Sequence, residues 1–290
     1  MVAGEIGILN VYGEKGLEIN MLSPVQKKLL EMLGWFHGYC RENRLTYYIV
    51  GGSMLGAIRH GGFIPWDDDI DVVLPRPDYN RLLYIFKETT DHYFLESPYT
   101  GNEDFYYTYA KLYDTDTTLI ERARRNCRRG VYIDVFPLDG IGANETEMEA
   151  NFAKIDRLNM FLMTRVCAIT KDRSFYKNAS IVLSRFIPSF IVNDHDLVIK
   201  VDKVASSFGY GNSKYVANLM GSYRKKEVME KRIFGKPTEY KFENIVVNGV
   251  ENYEEFLTHI YGDWRKLPTE EKRKTTHEYI EIDLNKSYMA

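Results

Sequence analysis

The apolar positions of this chain follow two different periods. Between Ser23 and Asn43, Leu29, Leu30, Leu33, Phe36 and Cys40 recur at helical spacing. Ser23-Pro24 supplies an N-cap and a first-turn proline, so the pattern predicts a helix packed under a sheet. Short apolar runs bounded by glycine, proline or charge come next and predict strands over 47–50, 70–74, 93–96, 106–112, 117–120 and 131–136. Short helices fit between them at 54–59 and 78–87. From Glu145 the helical period returns, with helices expected over about 145–168, 174–187 and 194–208. A strand pair turning at Glu243-Asn244 and a helix over Tyr253–Tyr261 follow. One helical stretch, 175–192, has two readings: a core helix broken at Pro188, or an interfacial segment that touches a membrane.

No internal repeat or flexible linker divides the pattern, so a two-lobed single domain is expected. Its 290 residues, 44% apolar and 27% charged, allow a sizeable core. A net charge of −3 carries no nucleic-acid signal, and no nucleic-acid partner is expected. Cys40, Cys127 and Cys167 are scattered, without a CxxC pair, which fits a reducing compartment. Neither a signal peptide nor a run approaching a membrane span is evident, so a cytoplasmic location is expected.

The chemistry concentrates in one stretch, GGSMLGAIRHGGFIPWDDDID, from Gly51 to Asp71. Asp69 and Asp71 alternate about Ile70 and run into Val72-Val73-Leu74, so they share one face of a buried strand. Two carboxylates against an apolar core need a cation, and a divalent metal is the economical choice. Asp67 has the same parity and could assist, whereas Asp68 points elsewhere. Gly51-Gly52-Ser53 follows a strand and opens a helix, where backbone N–H groups attract phosphate. Asp134 lies among apolar neighbours as a third ligand or as the base for an attacking hydroxyl. Asp139, in the turn that follows, reads as a structural acceptor for backbone amides. Five arginines over 122–129 make either an exposed loop or an anion site.

This core resembles the LicD family, related to the fukutin-related proteins, within the nucleotidyltransferase-like superfamily. The likeness rests on Gly51 to His60, on Gly62-Phe63-Ile64-Pro65-Trp66-Asp67 with Asp69-Ile70-Asp71, and on Ile133 to Asp139. Tyr261-Gly262-Asp263, Leu267-Pro268 and His277 extend it towards the C-terminus. The cysteine-rich zinc element of the animal enzymes is missing, as in the bacterial branch. The resemblance implies an α/β (α+β) fold, a nucleotidyltransferase-like mixed β-sheet flanked by helices, with a helical insertion and a small C-terminal lobe. In chain order that gives an arm over 1–22, a catalytic core over 23–144, and a helical and C-terminal lobe over 145–290.

The implied activity is transfer of a phosphorylated alcohol from a CDP-activated donor to a sugar hydroxyl. In the bacterial branch this means phosphocholine from CDP-choline, delivered to a lipid-linked or nascent surface glycan such as teichoic acid, capsule or lipopolysaccharide. One or two Mg²⁺ or Mn²⁺ ions would sit on Asp67, Asp69, Asp71 and Asp134. Gly51, Gly52 and Ser53 would approach the phosphates, Arg59 would neutralise the leaving group, and His60, Trp66 and His277 would help bind substrate. A quaternary ammonium has no N–H, so aromatic faces are its natural receptor; Trp66, Tyr106, Tyr107, Tyr109 and Tyr132 are the candidates nearby. Alternatives are phosphoglycerol or phosphoribitol transfer, a true nucleotidyltransferase releasing pyrophosphate, and a non-catalytic glycan- or nucleotide-binding module. Membrane contact through 175–192 would place the protein at the inner face of the membrane.

Overall fold

The computed structural model describes residues 22–290, apart from 87–89, 103, 122–127, 172, 276 and 278. The expected arm, three of the five clustered arginines and Cys127 fall outside the described residues: residues 1–21 and Arg122 to Cys127 are not among those described.

Helix α1 (Pro24–Glu42) starts on a capping box, with Ser23 Oγ accepting from the Gln26 amide and Gln26 Oε1 accepting from the Ser23 amide. It buries Leu29, Met32, Leu33, Phe36 and Cys40 against the sheet. The first half of the chain then alternates β1 (Tyr48–Ile49), α2 (Gly51–His60), β2 (Asp71–Pro75), α3 (Arg76–Ile85), β3 (Tyr93–Glu96), β4 (Ala110–Asp114), β5 (Thr118–Glu121), β6 (Arg128–Arg129) and β7 (Tyr132–Gly142). Helices α4 (Glu145–Val166), α5 (Phe175–Arg185) and α6 (Asp194–Ser206) form the insertion. Strands β8 (Tyr215–Ala217), β9 (Met229–Glu230), β10 (Thr238–Phe242) and β11 (Ile245–Gly249), helix α7 (Tyr253–Tyr261) and strand β12 (Tyr279–Asp283) complete it.

The described strands make a mixed sheet in the order β10-β11-β1-β2-β7-β4-β3, with β8 and β9 carried on the far end of β7. The β2–β7 and β1–β11 pairs are parallel; the rest are antiparallel. Strand β7 is the spine. It is covered on both faces, which is why its sequence reads as an almost continuous apolar run, and Asp134 alone among its residues is not fully buried. The strand expected over 131–136 continues to Gly142 because its second half finds a partner in β8, a strand with no pattern of its own. The strand expected from 106 begins only at Ala110, since the preceding tyrosines turn to pack on one another. A second sheet pairs β12 with β5 and β5 with β6, bringing the C-terminal segment back onto the first half.

Two apolar cores result. The larger lies between α1, α2, α7 and the sheet; the smaller joins Ile155 and Leu162 of α4 to Val198 and Val201 of α6 beneath Ile141 and Ala217. A buried ionic knot holds the insertion in place. Arg76 forks onto Asp139 at 2.6 Å and reaches Asp202 of α6 at 2.8 Å, and the Tyr99 hydroxyl donates to Asp202. Asp139 thus serves a guanidinium instead of the backbone amides expected for it, because α3 starts beside the end of β7 and aims Arg76 at it.

Candidate active site

Parallel pairing sets Asp71 of β2 directly opposite Asp134 of β7, and antiparallel pairing sets Lys111 of β4 opposite Asp134. Residues paired in register share a face, so Asp71, Asp134 and Lys111 form one row across three strands spaced about 4.8 Å apart. Lys111 is 2% exposed and its Nζ lies 2.7 Å from Asp134 Oδ1.

Asp67, Asp68 and Asp69 belong to the extended lead-in to β2, which begins only at Asp71. The lead-in is held from two sides. Gln26, whose other amide atom closes the capping box, donates its Nε2 to the Asp67 carbonyl at 2.8 Å. Asp68 accepts from Thr275 Oγ1 at 2.7 Å and meets His277 Nδ1 at 2.9 Å, while His277 Nε2 is 3.8 Å from Asp69. Asp68 is thus held by Thr275 and His277, and His277 reaches from it towards Asp69.

The glycine pair makes room for carboxylates. Gly51 has φ +56°, and a Cβ there would sit 3.0 Å from Asp71 Oδ2; a Cβ on Gly52 would collide with Asp67 Oδ2. The start of α2 thereby accepts Asp67 and Asp71 at its N-terminal end, where the helix dipole favours negative charge. The Ser53 hydroxyl, expected on a phosphate, is buried and accepts the Asp71 amide at 3.0 Å. It fixes the first residue of β2.

Charge crowding follows. Burial, then the charge of Asp69 and a hydrogen bond with it, push Asp67 up to about 8. Burial together with Asp69, Asp134 and Asp67 holds Asp71 well above the usual carboxylate range. Burial raises Asp134 as well, against the opposing pull of Lys111. Asp68 behaves oppositely: despite its burial, His277 and Thr275 keep it low. Burial works against a protonated His277, yet Asp68 and Asp69 raise it to about 9. Among the described residues no three acidic or imidazole groups close on a single point as a finished metal site. The donor set is nevertheless all oxygen, the kind that hard divalent ions take, and a cation there would relieve the repulsion that raises Asp67 and Asp71.

The segment carrying this row matches a family model. Residues 44–165 correspond to the LicD/FKTN/FKRP nucleotidyltransferase domain. The lipopolysaccharide cholinephosphotransferase LicD of Haemophilus influenzae is 31% identical over 269 residues, spanning 88% of this chain and 96% of its own. The chain belongs to the LicD family. It is, accordingly, a phosphotransferase enzyme. Ribitol 5-phosphate transferase FKRP of human and of mouse is 41% identical over 46 residues, 16% of this chain and 9% of its own.

In this LicD-family protein the remaining candidate residues are distributed unevenly. Arg59 and His60 occupy the last turn of α2, about 12 Å along the helix from the glycine pair. Arg59 Nη1 donates to the Trp264 carbonyl at 2.9 Å, and His60 packs edge-on to Trp66, its imidazole driven down to about 4 by burial and then by Arg59. Helix geometry therefore seats the expected leaving-group partner at the opposite end of α2 from the carboxylates. The Trp66 face is covered by Arg273. Tyr107, Tyr109 and Tyr132, three of the candidate choline rings, surround the Lys111 ammonium at 4.3, 5.7 and 3.4 Å. Of the arginine cluster, Arg129 pairs with Glu96 at 2.8 Å.

Sequence reasoning passed over four polar groups here. Lys111 and Gln26 sit in segments that read as ordinary strand and helix, and only strand register and helix docking bring them to the aspartates. Glu121 accepts from the hydroxyls of Tyr132 and Tyr107. Glu227, in a short 3₁₀ turn, is pushed to about 7 by burial, with the Tyr223 amide opposing, and its charge adds to the pressure on Asp71.

The glycine pair yields a split prediction. Gly52→Ala, a helical position that favours alanine intrinsically, leaves the melting temperature equal or higher but displaces Asp67 and lowers kcat about tenfold or more. Calorimetry and turnover on one preparation check both halves.

Proposed function

We propose that the protein transfers phosphocholine from CDP-choline to a hydroxyl of a cell-surface glycan precursor, of lipopolysaccharide type by analogy with its Haemophilus relative, and releases CMP in the cytoplasm. The acceptor oxygen attacks the distal phosphorus, a new P–O bond forms, and the bond to CMP breaks. Asp67, Asp69, Asp71 and Asp134 would hold one or two Mg²⁺ or Mn²⁺ ions, whose chemistry is to neutralise diphosphate oxygens. Ser53 and the glycine pair set where Asp71 and Asp67 stand. Lys111 balances Asp134 and puts a second positive charge at the same register. Asp134 acts as a ligand in preference to a base, since direct ligation lowers a carboxylate's basicity.

One observation carries the choice of alcohol. A cleft lined by Phe105, Tyr106, Tyr107, Tyr113 and Tyr132, with Asp104, Glu121 and Arg129 as its charged groups, opens beside the row of charges. Tyr132 and Asp134 are two residues apart on β7, so they share a face about 6.6 Å apart, the reach of a phosphocholine group. Five aromatic rings and two carboxylates against one guanidinium favour a quaternary ammonium over an uncharged polyol.

The test is incubation with CDP-choline, CDP-glycerol or CDP-ribitol, each with Mg²⁺ and a glycan precursor, following CMP and the modified acceptor. CMP from CDP-choline is expected; pyrophosphate released from a nucleoside triphosphate would overturn the reading. Glu121→Gln should raise KM for CDP-choline about tenfold with little change in kcat, as for a contact made equally in ground and transition states. A pure kcat loss would remove Glu121 from the headgroup site.

A further inference from the structure

Helix α5 and the turn after it are amphipathic in the wrong direction for a covered element. Only Ile181 and Ser184 of α5 are buried, while Phe175, Tyr176, Leu183, Phe186, Phe190 and Ile191 are between 64% and 86% exposed. The core-helix reading of 175–192 is thereby excluded: α5 packs through Ile181 and Ser184 and the segment presents most of its large apolar side chains outward.

That orientation is fastened, not loose. Buried Arg165 of α4 donates to the carbonyls of Ser184, Ile187 and Val192 at 2.7, 3.0 and 3.0 Å and pairs with Asp194. Ser184 Oγ donates to the Thr164 carbonyl at 2.8 Å. A guanidinium bound to three carbonyls around the turn at Pro188 fixes which side chains face out. A contiguous apolar surface of this kind marks an interaction site.

Charge identifies the occupant. From 173 to 192 the sequence holds Arg173, Lys177 and Arg185 and no acidic residue, in a chain whose net charge is −3. Exposed aromatics at both ends of a helix, with Lys177 and Arg185 among them, match an element lying in a bilayer interface: rings enter the acyl boundary while the cationic tips reach headgroups. We infer that the outward face of 175–191 docks this protein on an anionic lipid bilayer. Among the described residues no helix is long and apolar enough to cross a membrane, so the contact is peripheral. The inference goes beyond the donor and acceptor proposed above and does not depend on them.

The experiment is co-sedimentation of the full chain with phosphatidylcholine vesicles, with and without phosphatidylglycerol. Wild type should pellet with the anionic vesicles, less as salt rises. Phe186→Ser/Phe190→Ser should bind about tenfold more weakly, and Lys177→Glu/Arg185→Glu should lose the preference for phosphatidylglycerol. Both pairs are exposed, so circular dichroism and CMP release with a water-soluble acceptor should match wild type, which separates this test from that of the transferase reading. Absence of wild-type binding, or equal binding of wild type and the serine variant, would overturn the inference. So would a wild-type dimer that the serine variant dissolves without either binding lipid, which would give the face to a second copy.

Discussion

Asp71→Asn is expected to abolish metal-dependent turnover while raising the melting temperature of the metal-free protein. Asp71 sits opposite Asp134, and its charge is opposed by burial and by Asp69, Asp134 and Asp67. An amide of the same shape removes one of these like charges and can donate to a neighbouring carboxylate, so the apo fold gains. Turnover should fall on the order of 10³-fold, the scale for losing a group that acts on developing charge. The decisive measurement is calorimetry with and without Mg²⁺. Wild type should gain several degrees on adding the ion and the variant almost none. A destabilised apo variant would mean that the crowding of carboxylates is not what the fold resists. An undiminished Mg²⁺ effect would take Asp71 out of the metal set.

Arg76→Met should produce the largest loss of stability. The guanidinium is 5% exposed and serves Asp139 and Asp202 together, so methionine fills the space but strands two buried carboxylates. Breaking such a pair costs about 3–5 kcal/mol, which in a chain of this size lowers the melting temperature by roughly 10 °C. Arg76→Lys should recover little, because one ammonium cannot fork onto Asp139 and reach Asp202 as well. Adding Asp139→Asn and Asp202→Asn to Arg76→Met should restore part of the loss. If the triple variant were no better than Arg76→Met, the cost would lie in packing and not in stranded charge. A near-neutral Arg76→Met would refute the knot as a structural fastener between β7 and the insertion.

The elements that announced themselves were those whose periodicity matched their burial. Helix α1 carries its cap and its apolar stripe in one local stretch, and α7 and β3 fall on their expected bounds for the same reason. Strands β8 and β9 lacked a signal because each is short and takes its burial from a partner distant in the chain, and β12 because none of its residues is buried. The aromatic candidates illustrate a different limit. Tyr107, Tyr109 and Tyr132 were grouped as candidate walls of a choline cage, and in the fold the ammonium beside them is that of Lys111. Composition shows that rings are available; it does not show which ammonium reaches them first.

The stretch from Gly51 to Asp71, by itself, determined that carboxylates gather beside a glycine-opened helix, because glycine, aspartate and a β-forming run within about twenty residues leave few other arrangements. It also determined the family, since those residues are shared motifs. Tertiary structure decided everything that depends on register and rigid length. Parallel pairing of β2 with β7 put Asp134 opposite Asp71, antiparallel pairing brought Lys111 to Asp134, and the fixed rise of α2 carried Arg59 and His60 to its other end. It decided, too, which way α5 faces, because Arg165 and Ser184 anchor its small side. Local periodicity can say that a helix has an apolar stripe, but only the partner it finds says whether that stripe is inside.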